Sequence, residues 1–263
     1  MTNSAQYPSL PWDNCVVKQI RTAVQKTKVQ EEFWAYYVLR RISIYLSILF
    51  SELPVFDSPN FVTVLGIISM LLATGFAITG SKIGLIFACL LYQLGYLFDC
   101  IDGEVARLTN RCSRIGKILD TILDGVNVLL LGGFAYGIAR SEPGSITLNW
   151  FLFISFVGLI SFTTPRIITF LNHHNKTPSR TDAQITTKLR HSNMIFDLPA
   201  FIFSPPGLYT VIFLALIFPL GTVIPIILKI YAAGLLAKTI LRILLEARIW
   251  SPAVKHQEYE SYR

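Results

Sequence analysis

The sequence predicts an all-α integral membrane protein, with six transmembrane helices preceded by an N-terminal amphipathic interfacial helix. Three observations carry this. Of 263 residues, 52% are hydrophobic and only 15% charged, with a mean hydropathy of +0.52, which excludes an ordinary water-soluble domain. The apolar residues form long uncharged runs, such as 61–79 and 198–228, long enough for helices to cross a hydrocarbon core of about 30 Å. The basic residues behind the net charge of +7 gather at the ends of those runs. That is an orientation signal. It predicts no nucleic-acid binding, because no basic patch is interleaved with aromatic residues. Cys15, Cys89, Cys100 and Cys112 show neither CxxC pairs nor zinc-ligand spacing, so no disulfide framework is expected.

Residues 1–30 are polar and basic, with Pro8 and Pro11, and predict a cytosolic extension without a cleavable signal peptide. Residues 31–60 hold the interfacial helix and a turn. Trp34, Val38, Ile42, Leu46 and Leu49 recur at helical spacing and form an apolar stripe, while Arg40, Ser43, Ser47 and Ser51 share another face. In the turn, Ser58 and Pro59 can cap and open the next helix.

Residues 61–250 form the six-helix domain. The first span covers 61–79, and 80–82 turn the chain. The second starts near Ile83, and the third runs from about Ile115 to Ala139. After the turn 141–144 a fourth covers 146–165, ending at Pro165, with Trp150 at the membrane interface. The run 198–228 is too long for one helix. Pro219, Gly221 and Pro225 break it into a fifth span, kinked or delayed by Pro205 and Pro206, and a sixth that continues past Lys238 and Arg242. Lys229, inside the sixth, is assigned no role beyond snorkelling. Residues 251–263 are a cytosolic tail. Six spans put both termini on one side, together with the basic segments 107–117, 166–190 and 242–263. By the positive-inside rule that side is the cytoplasm, which in a bacterium makes the host the inner (plasma) membrane.

The chain is organised around 97–125, which places Asp99, Asp102, Asp120 and Asp124 at the edges of two apolar runs. An ionised carboxylate in or near a bilayer is costly and marks a functional site. Asp99 and Asp102 are i,i+3 and Asp120 and Asp124 are i,i+4, so each pair shares a helix face. A reversal through the polar, basic segment 108–115 would bring all four together. At ~5 Å and an effective dielectric of ~20, two such charges repel by roughly 3 kcal/mol, so a counter-charge is required. Hard divalent cations with oxygen ligands, Mg²⁺ first, suit it, and a two-metal site clamps phosphate during in-line displacement. Gly103 and Ala106 leave the helix bare for a ligand, Arg107 can fork onto phosphate oxygens, and Gly116 again leaves room.

These residues match in register the signature of the CDP-alcohol phosphotransferases (CDP-alcohol phosphatidyltransferases), D-x2-D-G-x2-A-R-x8-G-x3-D-x3-D, here Asp99, Asp102, Gly103, Ala106, Arg107, Gly116, Asp120 and Asp124. The turn 59–63 also resembles that family's PN-x-x-T element. The resemblance implies transfer of a substituted phosphate from a CDP-alcohol to an acceptor hydroxyl with release of CMP, in phospholipid biosynthesis. It implies two Mg²⁺ (or Mn²⁺) ions per site on Asp99, Asp102, Asp120 and Asp124, with Asp124 also the general base. Asn60, Thr63, Gly103, Ala106, Arg107, Ser113 and Gly116 are then the residues for the CDP moiety. CDP-diacylglycerol is the expected donor, with another, soluble CDP-alcohol as the alternative. Membrane lipids and a homodimeric partner are expected as well. The acceptor stays open among inositol-phosphate, glycerol-phosphate and choline or ethanolamine types. An anionic acceptor would need cations, for which Arg166, Lys188, Arg190 and Lys238 are available.

An ion-coupled transporter would also use intramembrane aspartates. It accounts for neither the Gly, Ala and Arg at fixed offsets nor the position of the acids at one end of the spans.

Overall fold

Every regular element among the described residues is helical. The computed structural model describes residues 7–28, 31–54, 57–141, 144–174, 201–218 and 220–249. In chain order the helices are α1 (Cys15–Val24), a π-helical turn (Ala35–Leu39), α2 (Arg40–Glu52), α3 (Pro59–Ile78), α4 (Lys82–Leu108), α5 (Arg114–Ser141), α6 (Leu148–His174), α7 (Pro205–Ile217), a 3-10 turn (Gly221–Val223) and α8 (Ile224–Ile249).

Five of these are long and apolar enough to cross a membrane: α3, α4, α5, Leu148–Phe170 of α6, and Gly221–Leu244 around α8. That fits a multi-pass integral membrane protein. The expected fifth span falls on α7, whose 13 residues are shorter than a crossing, and the stretch before residue 201 lies outside the described residues. Large apolar side chains face outward along the spans, among them Ile68, Leu72, Phe87, Leu94, Phe156 and Ile230. That is the surface expected of helices whose solvent is hydrocarbon.

Of the two alternatives for Pro205 and Pro206, the structure has the delay and not the kink: they open α7, because the first helical positions have no use for the missing N–H, and the Ser204 hydroxyl caps the helix by accepting from the Gly207 amide at 3.3 Å. Pro165 does not end α6, which continues to His174 with the proline inside it. Neighbouring groups can re-satisfy the backbone at such a point.

The core lies between α3, α4, α5, α6, α7 and α8. Tyr209 packs its ring 4.2 Å from that of Tyr92 and 5.2 Å from that of Phe134. Helices α3 and α5 meet through small residues. A Cβ on Gly137 would fall on the Ala77 carbonyl, and one on Gly80, which has φ +68°, would fall on the Gly137 carbonyl. Gly137→Ala therefore has to push α3 from α5, and should cost about 2 kcal/mol as an overpacked core position. A thermal unfolding midpoint in detergent, compared with Gly132→Ala, measures it. Lys229, unassigned above, sits 5.3 Å over the Trp150 ring.

The N-terminal part is tied to the bundle by buried polar groups. Arg21 is 1% exposed and donates to Asp13, to Gln25 Oε1 and to the carbonyls of Arg40 and Arg41. Burial alone would push the Asp13 carboxyl up. Hydrogen bonds from Arg21, the Tyr45 hydroxyl and the Leu10 amide outweigh it and hold Asp13 below the ordinary carboxylate range. The polar face of α2 is also buried. Arg40, Ser43 and Ser47 turn inward on α4, while Ile42 and Leu49 face out. Their target is Glu104, 0% exposed, which accepts from Arg40 Nη1 at 2.9 Å, the Ser43 hydroxyl at 2.7 Å, Gln25 Nε2 at 2.8 Å and the Ser47 hydroxyl at 2.7 Å. Glu31 takes the other end of Arg40 at 3.0 Å. A network with this many partners is what allows a charge to be buried at all.

Candidate active site

Asp99 and Asp102 lie in the last turns of α4, and Asp120 and Asp124 in the first turns of α5. The connection between the helices is five residues long and its geometry is specific. Asn110 takes φ 54°, the Arg111 amide donates back to the Ala106 carbonyl at 3.0 Å, and Thr109 donates to Val105. This is a Schellman ending, with asparagine where glycine is commonest. Asn110→Gly should leave stability unchanged or slightly raised, whereas Asn110→Val should lower it by about 1–2 kcal/mol, the cost of a left-handed conformation in a β-branched residue. Unfolding midpoints of the pair decide it. On the far side of the turn, Ser113 accepts from the Gly116 amide at 2.9 Å and so caps α5. It also donates to Asn60 Oδ1 at 3.1 Å, linking the start of α3 to that of α5.

One cavity of about 230 Å³ opens between these helix ends. Its walls include all seven residues expected at a CDP moiety, Asn60, Thr63, Gly103, Ala106, Arg107, Ser113 and Gly116, together with Asp102 and Asp120. Asp102 is 7% exposed and accepts from the Thr63 hydroxyl at 2.6 Å. Arg111, paired with Asp57 at 2.5 Å, and Lys117 line the same cavity. Gly103 forms part of this cavity wall. The Arg107 guanidinium folds back over it, so that a Cβ there would lie 3.4 Å from Nη2.

A second cavity, of about 200 Å³, shares no lining residue with the first and lies between α5, α6, α7 and α8. Asp124 is on its wall beside Asn127, Ser161, Tyr231 and Lys238, and the rest is apolar, with Val128, Leu131, Phe162, Phe203 and Leu235. Asn127 Oδ1 is buried without a hydrogen-bond partner among the described residues. Arg166 donates to Asp124 at 2.7 Å, and its guanidinium stacks 3.7 Å over the Phe162 ring. The other two expected acceptor residues, Lys188 and Arg190, lie outside the described residues.

The four carboxylates are electrostatic neighbours. Asp99 lies in the field of Asp120 and Asp124, and Asp102 in that of Asp99 and Asp120. Among the described residues no three Asp, Glu, His or Cys side chains close into a ready-made metal cage. Asp99 and Asp120 have no hydrogen-bond or ion-pair partner there, whereas Thr63 and Arg166 occupy Asp102 and Asp124. An all-oxygen donor set with two unpaired members suits a hard divalent ion.

Comparisons with known proteins point the same way. A family model described as CDP-alcohol phosphatidyltransferase matches residues 56–226. Cholinephosphotransferase 1 of Homo sapiens is 28% identical over 129 residues, which is 46% of this chain and 31% of that protein. The Mus musculus protein of the same name is 29% identical over 137 residues, 46% of this chain and 32% of the relative. The bifunctional IPC transferase and DIPP synthase of Thermococcus kodakarensis is 39% identical over 105 residues, 40% of this chain and 22% of the relative. The matched stretch thus spans a third or less of these relatives' length. The family match covers well over half of the chain and includes every aspartate of the motif, so the chain belongs to the CDP-alcohol phosphatidyltransferase family.

Proposed function

We propose that this protein is a CDP-alcohol phosphotransferase, and that the two cavities hold its two substrates on either side of the aspartates. The observation that carries the reading is the division of the site: the nucleotide residues, Asp102 and Asp120 line one cavity, while Asp124 faces the other. The CDP moiety lies in the first, with its pyrophosphate between Arg107 and the carboxylates. The acceptor hydroxyl approaches through the second. Its oxygen attacks the phosphorus that carries the alcohol, a new P–O bond forms, and the bond to the bridging oxygen breaks. CMP leaves with that electron pair. The proton of the hydroxyl passes to Asp124. When bound, two Mg²⁺ or Mn²⁺ ions on Asp99, Asp102, Asp120 and Asp124 neutralise the pyrophosphate and the leaving CMP. Arg166 holds Asp124 until the acceptor arrives, and with Lys238 lends positive charge to that cavity. The site faces the cytoplasm, in line with the positive-inside reading.

The apolar wall of the second cavity supports a lipid there, either as the acyl part of CDP-diacylglycerol or as the acceptor itself. The names of the mammalian relatives favour the second arrangement, with a choline-phosphate unit transferred from a soluble donor. Product identification by mass spectrometry separates them. CDP-diacylglycerol with polar acceptors and CDP-choline with diacylglycerol are supplied in parallel, and the arm that yields a new phospholipid names the donor. If neither arm, nor any other CDP-alcohol, yields one, the reading is wrong.

A further inference from the structure

The N-terminal helix ends against the nucleotide cavity. Val24 closes α1, and a terminal carbonyl has no partner within its own helix. It accepts instead from Arg107 Nε at 2.5 Å. A cation at a helix C-terminus is favoured by the helix dipole as well. The next residue, Gln25, is 6% exposed and fixes this helix end from three sides. Its Nε2 donates to Glu104 at 2.8 Å and to the Arg40 carbonyl at 2.7 Å, and its Oε1 accepts from Arg21 at 3.1 Å. Glu104 precedes Arg107 by one turn of α4. The Val24 carbonyl and Arg107 are thereby clamped to one rigid frame. Arg107 has one N–H committed to that frame, its guanidinium laid over Gly103, and its Nη2 buried without a hydrogen-bond partner among the described residues.

We propose that the N-terminal helix is a working part of the nucleotide site: Gln25 and Glu104 are positioning residues that hold the Val24 carbonyl on Arg107, and so preset the Nη donors of Arg107 for a phosphate of the CDP moiety. The inference rests on the reading of the first cavity as the CDP site. Fixing a guanidinium in advance removes the cost of ordering it when the anion binds. Gln25 touches neither the cavity nor the aspartates, so any effect it has on nucleotide affinity must travel through Arg107.

The test is a calorimetric titration of the full chain in nanodiscs with CMP and Mg²⁺, which needs no knowledge of the acceptor. Gln25→Met keeps the length of the side chain and removes its hydrogen bonds. It should weaken CMP binding about tenfold, and Arg107→Ala should weaken it about thirtyfold, as expected for charge-assisted hydrogen bonds to phosphate. The double variant should be no weaker than Arg107→Ala alone. Ser47→Ala loosens the same network at Glu104 without touching α1, and should lower thermal stability while leaving CMP affinity unchanged. Multiplying effects in the double variant, an unchanged Gln25→Met, or an equal loss in Ser47→Ala would each overturn the positioning role. An unchanged Arg107→Ala would instead remove the CDP reading of the cavity, and the inference with it. Should Gln25→Met not fold, Gln25→Asn, too short to reach Glu104, takes its place with the same expected outcomes.

Discussion

Asp124→Asn is expected to abolish turnover while sparing nucleotide binding. The aspartate lies on the wall of the second cavity, and the nucleotide residues line the first. Loss of a positioned general base lowers rates by about 10²–10⁴-fold, and an amide is a poorer ligand for a hard cation, so the drop in kcat should sit near the upper end of that range. The substitution is gentle on the fold. Asparagine keeps an oxygen that can accept from Arg166, now 2.7 Å from Oδ2, and Asp124 is an exposed residue with no packing to lose. Steady-state CMP release, read beside CMP affinity, checks it. A kcat within fivefold of the parent would remove Asp124 from the role of base.

Arg40→Met is expected to be the most destabilising change in the N-terminal half. Arg40 and Glu104 are 8% and 0% exposed at the side chain and meet at 2.9 Å, with Glu31 on the other side at 3.0 Å. Burial pulls the Arg40 guanidinium down, but the neighbouring Cys100, Glu31 and Glu104 together hold it well above its ordinary pKa, so it stays charged. Methionine fills the space but leaves two acidic groups facing each other in a buried site. Breaking a buried pair from one side costs about 3–5 kcal/mol. The hydroxyls of Ser43 and Ser47 still serve Glu104, which puts the expected loss near the lower figure. The measurement is the unfolding midpoint in detergent. Replacing Arg40 and Glu104 together by Met and Leu should recover much of the loss, because no unpaired charge then remains.

The parts of the site that the sequence revealed are those governed by short-range spacing. The motif spans one helix end, one turn and one helix start. Helical spacing, the reversal between the helices and the family signature together brought Asp102, Gly103, Ala106, Arg107, Gly116 and Asp120 to one site, and all six line one cavity. Asn60 and Thr63 came from the resemblance of the turn 59–63 to the family's PN-x-x-T element. The buried polar network was not legible for a physical reason. A polar stripe of Arg40, Ser43 and Ser47 reads the same whether it faces water or a buried carboxylate, and its partner Glu104 is a freely variable position of the motif, 57 to 64 residues away along the chain. Nor does periodicity show that the Arg107 guanidinium lies over Gly103. Gly80 was legible as a turn residue, but its close approach to Gly137 was not, because backbone contact between helices far apart in sequence leaves no local mark.

The most direct test of the account is CMP release by the full chain in liposomes, with a CDP-alcohol, a hydroxyl acceptor and a divalent cation added or chelated. The account predicts CMP formed in step with the product lipid, at a rate that falls to background when Mg²⁺ and Mn²⁺ are removed and returns when either is restored. Release that persists under chelation would contradict the four-aspartate site. A folded protein that binds CMP yet releases none from any CDP-alcohol, with metal present, would contradict the transferase itself.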